Sequence, residues 1–169
     1  VVYNTGGYET VGTVRALDGV VDVWLADVKY VSPALSREYS GAEDYFAVCS
    51  KAVREMIARA GPPVYDGAGL LRRGVVLRHL ALPGALADSR AVLSFMASLP
   101  AGSFVPSLMS QYTPFYRAAE HKPLGRRIST WEYRQVINTA VGLGLTNGYM
   151  QQKSSAREEY TPPFDFSGV

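Results

Sequence analysis

Cysteine is almost absent from this chain of 169 residues: Cys49 is the single one. One thiol excludes an intramolecular disulfide framework and any site built on cysteine pairs, and it fits a reducing, cytoplasmic setting. Histidine is as scarce, with His79 and His121 far apart in the sequence, so no zinc site can be argued from them. A dominant charge of one sign is missing too. Seventeen basic and fifteen acidic side chains leave a formal net charge of +2, so no global field argues for nucleic acid or a membrane surface as partner. No apolar run approaches the ~18 residues needed to cross a bilayer, and no signal-peptide pattern is visible. There is no Gly-rich phosphate loop followed by Lys-Ser/Thr. There is no serine nucleophile elbow, because Ser40-Gly41 lacks the preceding glycine at the required spacing. Short repeats of the solenoid type are absent.

What is present suffices for one domain with a substantial core, at 47% apolar and 19% charged residues. The chain starts with Val rather than Met and opens directly into a strand ending at Tyr3-Asn4, as expected of a piece of a longer protein. Val20 to Lys29, VVDVWLADVK, reads as a buried strand with Asp27 and Lys29 at its end. Before it, Asn4-Thr5-Gly6-Gly7-Tyr8 allows a tight turn, and Tyr8, Val11, Val14 and Leu17 share one face of a short helix. Tyr30 to Ala42 is expected to be irregular. Phe46, Cys49, Val53, Met56, Ile57 and Ala60 form the clearest helical stripe, stopped by Gly61-Pro62-Pro63. Cys49 on that stripe reads as a small buried hydrophobe.

Val64 to Gly74 is expected to be a loop anchored by Leu70-Leu71, and Val75 to Leu80 a strand with Arg78 and His79 near its end. Asp88 is expected to cap a helix that turns Val92, Phe95, Met96 and Leu99 inward. Phe104 to Met109 reads as a strand whose Pro106 suggests an edge or distorted position, and it ends in Ser110-Gln111-Tyr112. Thr113 to Arg127 is a long loop carrying Arg117, His121, Lys122, Arg126 and Arg127, a solvated basic surface or a docking element. Ser129 with Glu132 makes a capping box for a helix with Tyr133, Val136, Ile137 and Ala140 inward, ended by Gly144. A last short strand is expected near Thr146 to Gln151, giving a domain over residues 1–151 and a polar tail over 152–169. Strand, loop and helix repeat with no hairpin signal, which favours a parallel β/α architecture.

Four strand ends carry polar groups: Asn4-Thr5, Asp27 with Lys29, Arg78-His79, and Ser110-Gln111. Strand tips of a parallel β/α fold ring one mouth, so together they suggest a site for a small charged molecule. Residues two apart on a strand share a face, so Asp27 and Lys29 can reach one ligand. A plain strand-end ion pair is the competing reading, and His79 on its strand is more often structural than catalytic.

Tyr3-Asn4-Thr5-Gly6-Gly7-Tyr8-Glu9, Asp27-Val28-Lys29-Tyr30, Arg78-His79-Leu80-Ala81-Leu82-Pro83-Gly84 and Met109-Ser110-Gln111-Tyr112 resemble, in order and spacing, the later half of radical SAM proteins. The group they look most like is that of the pyruvate formate-lyase-activating enzymes. Gly142 to Gln151 and Pro163 to Val169 also look like that group's C-terminus. The resemblance implies the C-terminal half of a partial (β/α)6, TIM-like barrel. It also implies a [4Fe-4S] cluster on a CxxxCxxC loop that cleaves S-adenosylmethionine to a 5′-deoxyadenosyl radical. That cysteine motif and the Gly-Gly-Glu segment that holds the methionine amino group are missing here, and the resemblance puts both upstream of Val1. One cysteine cannot supply three thiolates, so no cluster is expected on this chain alone.

Carried over by position, the resemblance makes Asn4 and Thr5 neighbours of the cofactor's methionyl part. It makes Asp27 and Lys29 the acid and base that contact the cofactor or a nearby cation. Arg78 and His79 belong to a strand reaching the same cavity, and Gln111 stands near a polar position of the activating enzymes. The expected partners are S-adenosylmethionine, a protein or peptide substrate, and further copies of the chain through its open strand edge. Two other readings stand beside this one. The first is a different β/α-barrel lyase or isomerase using Lys29 as amine or base. The second is a non-catalytic binding or assembly domain that docks a protein through Arg117 to Arg127.

Overall fold

The computed structural model describes residues 1–150. Along the chain run β1 (Val2–Thr5), α1 (Val11–Ala16), β2 (Val23–Asp27), α2 (Pro33–Ser40), α3 (Tyr45–Ala60), β3 (Val64–Tyr65), β4 (Leu71–Leu80), α4 (Leu86–Ala97), β5 (Val105–Met109), a 3-10 turn (Tyr116–Glu120), α5 (Thr130–Gly142) and β6 (Tyr149–Met150). Five strands pair in the order β1-β2-β4-β5-β6, every neighbour parallel, with β3 set antiparallel on the start of β4. The order advances in one direction with a helix between successive parallel strands, as in a β/α barrel. The sheet is an open part of one. Among the described residues no helix is long and apolar enough to cross a membrane.

Pleating divides the strands into two faces. Trp24, Ala26 and Val28 of the β2 segment, with Val75 and Leu77 of β4 and Leu108 of β5, point into the helical layer. There they join Val53, Met56, Val92, Met96 and Val136 in one core. The alternate residues Val23, Leu25, Val76 and Val105 lie on the other face, which carries Asn4, Asp27 and Arg78 toward the strands' C-terminal ends. Val23, Val76 and Val105 are buried but lie outside the helix-side core.

Several elements differ from expectation, each for a local reason. The stretch 30–42 contains α2. Ser32 caps it by accepting the Leu35 N–H, Pro33 occupies its first turn, and Gly41 closes it in the left-handed region at φ 66°. The segment 64–74 is a hairpin, not a loop. Asp66 accepts the N–H groups of Ala68 and Leu70 in its turn, and Leu70 is exposed rather than an anchor. Strand β4 therefore begins at Leu71, and β2 is shorter than its apolar run.

Asp88 is not the N-cap of α4; Ala85 holds that position. The Asp88 carboxylate accepts the N–H groups of Val31 and Ser32 instead, tying the entry of α2 to α4. Pro106 is not at the sheet edge, since β6 pairs beyond it at Ser107 and Leu108. Gly148 passes so close that a Cβ there would lie 2.2 Å from the Pro106 carbonyl oxygen. The stripe of α3 and the capping box of Ser129 and Glu132 form as the spacing predicts. The polar tail expected over 152–169, and Gln151 of the last strand, lie outside the described residues.

Candidate functional site

The site is built where β2, β4 and β5 end. Asp27 and Arg78 are register partners on adjacent parallel strands, so their side chains leave the sheet side by side on one face. Arg78 reaches the same Asp27 Oδ1 with Nε at 2.8 Å and Nη2 at 2.7 Å. Its Nη2 also donates to Asn4 Oδ1 at 2.6 Å. One guanidinium thus ties together the tips of β1, β2 and β4. The pair keeps 23% and 22% of its side-chain surface exposed, so it is partly dried and still reachable by a ligand. Lys29 shares the face of Asp27 but is exposed. Its carboxylate neighbour pairs with Arg78, so the strand end is an Asp27–Arg78 pair rather than an Asp27–Lys29 pair.

A cavity of about 470 Å³ opens at these tips. Asp27, Lys29, Arg78 and Gln111 form its polar side, and Tyr30, Tyr39, Leu80, Leu82, Met109, Tyr112, Ala118 and Leu124 its apolar and aromatic side. Burial raises the phenol pKa of Tyr30, Tyr39 and Tyr112, so the wall is neutral at ordinary pH.

The long loop after β5 crosses this mouth as a strap. At one end the His121 ring packs edge-on against Tyr39 at 6.0 Å, and its Nε2 lies 3.4 Å from Glu38. In the middle Tyr112 donates to the Leu124 carbonyl at 2.9 Å, and Leu124 is buried. At the other end Arg126 makes two bonds of 2.7 Å to Glu132, which also accepts the N–H groups of Gly84 and Ser129. The Arg126 bonds, helped by those backbone donors, hold the Glu132 carboxyl far below the usual carboxylate range. Arg126 is thus engaged with Glu132, while Arg117, Lys122 and Arg127 of the same loop remain exposed.

Of the seven site residues picked out by sequence, Asp27, Lys29, Arg78 and Gln111 line the cavity, and Asn4 joins them through Arg78. Thr5 and His79 do not. Thr5 is buried, accepts the Gly7 N–H at 3.1 Å and donates to Glu9 at 2.9 Å, so it shapes the loop after β1. His79 follows Arg78 on the strand and so faces the opposite side, fully packed in the helical layer. Its Nδ1 lies 2.9 Å from the Val28 carbonyl and its Nε2 3.0 Å from Ser89 Oγ. Burial lowers its pKa, which keeps the ring neutral: Nδ1–H donates and Nε2 accepts. The aromatic wall went unnoticed in the sequence. Its members come from the β2–α2 loop, from α2 and from the exit of β5, and no spacing rule links them.

Cys49 lies against the same loops from behind, its thiol 3.6 Å from the Asp27 carbonyl and pushed up to about 11 by burial. It is a buried thiol, not a ligand. Among the described residues no group of three His, Cys, Asp or Glu could hold a metal ion.

No family model matches this chain. Over 140 residues it is 29% identical to an uncharacterized protein of Methanocaldococcus jannaschii. The match takes in 83% of the chain but 37% of that protein, so the chain spans little more than a third of its relative's length. Among solved structures it is similar to a domain of a pyruvate-formate lyase-activating enzyme from Bacteroides vulgatus, with a TM-score of 0.62 and 16% identity. That similarity covers 89% of this chain and 80% of the other. At this identity the likeness shows the fold: a parallel β/α sheet with flanking helices.

Proposed function

We propose that this chain is the later part of a radical SAM enzyme of the activating-enzyme kind. Its strand tips bind S-adenosylmethionine, while the cluster-binding cysteines belong to a part of the protein upstream of Val1. The observation that carries this reading is the array of Asn4, Arg78, Asp27 and Lys29 beside an apolar, aromatic wall. Its chemistry suits the cofactor: a carboxylate meets the Lys29 and Arg78 cations, an ammonium meets the Asp27 carboxylate and the Asn4 carbonyl oxygen, and flat apolar surface packs on tyrosines. Gln111 supplies an amide for ribose hydroxyls. The similarity to a domain of an activating enzyme supports the fold this requires. In the complete enzyme, S-adenosylmethionine held beside a reduced cluster would supply hydrogen-atom abstraction chemistry.

This chain's own residues do other work: they orient the charged end of the cofactor, hold Asp27 against Arg78, and shield the mouth with the strap. The donor set does not fit a [4Fe-4S] cluster, because one buried thiol is all the chain offers. A protein or peptide substrate would approach over the strap.

The lyase reading needs Lys29 in an apolar pocket, and it is exposed at the polar rim. The docking reading needs basic charge on the loop: Arg126 is committed to Glu132, while Arg117, Lys122 and Arg127 stay exposed, so that reading loses one anchor and stands second.

The test is titration of S-adenosylmethionine into the full-length protein at fixed cluster occupancy, with Asp27→Ala, Lys29→Ala and the double variant. Each single change should weaken binding roughly tenfold, the scale of one charged hydrogen bond of about 1.5–3 kcal/mol, with iron content unchanged. If all three variants bind as tightly as the parent, neither Asp27 nor Lys29 touches the cofactor and it lies elsewhere.

A further inference from the structure

Tyr45 is the first residue of α3 and is 3% exposed, although it lies behind the site rather than in it. Its phenol oxygen is 2.8 Å from the Gly6 carbonyl oxygen and 2.9 Å from that of Asp27, and it accepts the Lys29 N–H at 3.0 Å. A single hydroxyl proton is therefore shared between the exits of β1 and β2, and the oxygen lone pair takes the amide just past Asp27. The two exits touch directly at Gly7. At φ 78° this glycine sits so close that a Cβ would lie 2.2 Å from the Asp27 carbonyl oxygen and 3.2 Å from the Tyr45 hydroxyl. The ring itself is held by other contacts, stacked on Tyr8 at 5.9 Å and edge-on to Tyr30 at 5.7 Å. The hydroxyl is not needed to seat the ring.

We infer that Tyr45 is a positioning residue for the cofactor array. It fixes the exit that carries Asn4 against the exit that carries Asp27 and Lys29, so one Arg78 guanidinium can span both. Tyr30, whose ring Tyr45 supports, lines the cavity, so the same residue sets the polar side and one member of the aromatic wall. This role rests on the cofactor reading above and adds a residue that touches no ligand.

The test uses Tyr45→Phe, which keeps the ring and removes the hydroxyl, in the full-length protein at a temperature where it and the parent are folded. The probe is S-adenosylmethionine, followed by calorimetric titration. Tyr45→Phe should weaken binding by about tenfold, the scale of one lost buried hydrogen bond that leaves its partners unsatisfied. In an Asp27→Ala background the same change should cost much less, because a residue acting through Asp27 is not additive with it. A merely structural tyrosine would lower the melting temperature equally in both backgrounds and leave affinity alone. Should Tyr45→Phe fail to fold, hydrogen exchange in the unmodified protein decides. The Lys29 amide must be protected without cofactor, and unprotected exchange there overturns the role. Failure of the unmodified protein to bind overturns the cofactor reading and this role with it. Equal affinity of parent and Tyr45→Phe, or full additivity with Asp27→Ala, overturns this role alone.

Discussion

Two adjacent residues of β4 divide the labour of the molecule. Arg78 serves the cavity, and His79 serves the core, where burial keeps its ring neutral between the Val28 carbonyl and Ser89. The consequence for pH follows from linkage. The unfolded chain takes up a proton on this histidine near its ordinary pKa of about 6.5, whereas the folded chain resists it to lower pH. Stability contributed by His79 is thus complete above that value and is lost as pH falls below it toward the folded pKa. Urea midpoints should drop between pH 7 and pH 5 in the parent. His79→Gln, which carries no titrating ring, should be less stable at pH 7 and should show a flatter profile over the same interval. An equal slope in parent and variant would exclude His79 as the source.

At the scale of elements, the site is held by contacts between segments that do not neighbour one another in sequence. Asp88 in the first turn of α4 accepts two N–H groups from the entry of α2, 57 and 56 residues away. That entry follows directly on Lys29 and Tyr30, so Asp88 steadies one wall of the cavity from outside it. Asp88→Ala leaves the two donors unpaired and should cost about 1–3 kcal/mol of stability. Chemical denaturation measures the loss. Faster amide exchange at Val31 and Ser32 would locate it, and exchange unaltered there would show that α2 is held by other means. The strap is built on the same plan, with Glu132 gathering Arg126, Gly84 and its own helix start.

For the whole molecule the deciding feature is the open sheet. Strand β1 has no outer partner among the described residues, and Val1 before it and Val2 at its start are 67% and 62% exposed. On the side away from the helices, Leu25 is partly exposed and Asn4 exposed. That face offers no broad apolar surface, because Val23, Val76 and Val105 on it are buried, so the open strand edge is what favours association. The chain of 169 residues by itself should therefore self-associate, with sedimentation velocity showing a weight-average coefficient that rises with concentration. A concentration-independent monomer would mean that the edge is covered. In a longer polypeptide, which the partial span of the archaeal relative allows, the same edge is where a further strand would pair.

The sequence by itself determined the alternation of strand and helix, the stripe of α3, the capping box at Ser129, and the strand tips where Asp27, Lys29, Arg78 and Gln111 line a cavity. These follow from local rules, namely hydrophobic period, capping chemistry and the direction of parallel strands. The tertiary structure alone decided the rest. Asp27 pairs with Arg78 instead of Lys29 because register between β2 and β4 is a fact about two strands. His79 turns inward because the face assigned to Arg78 fixes the face of its neighbour. The tyrosine wall, the strap and the Tyr45 pin join segments tens of residues apart, and no local pattern encodes a meeting made by packing.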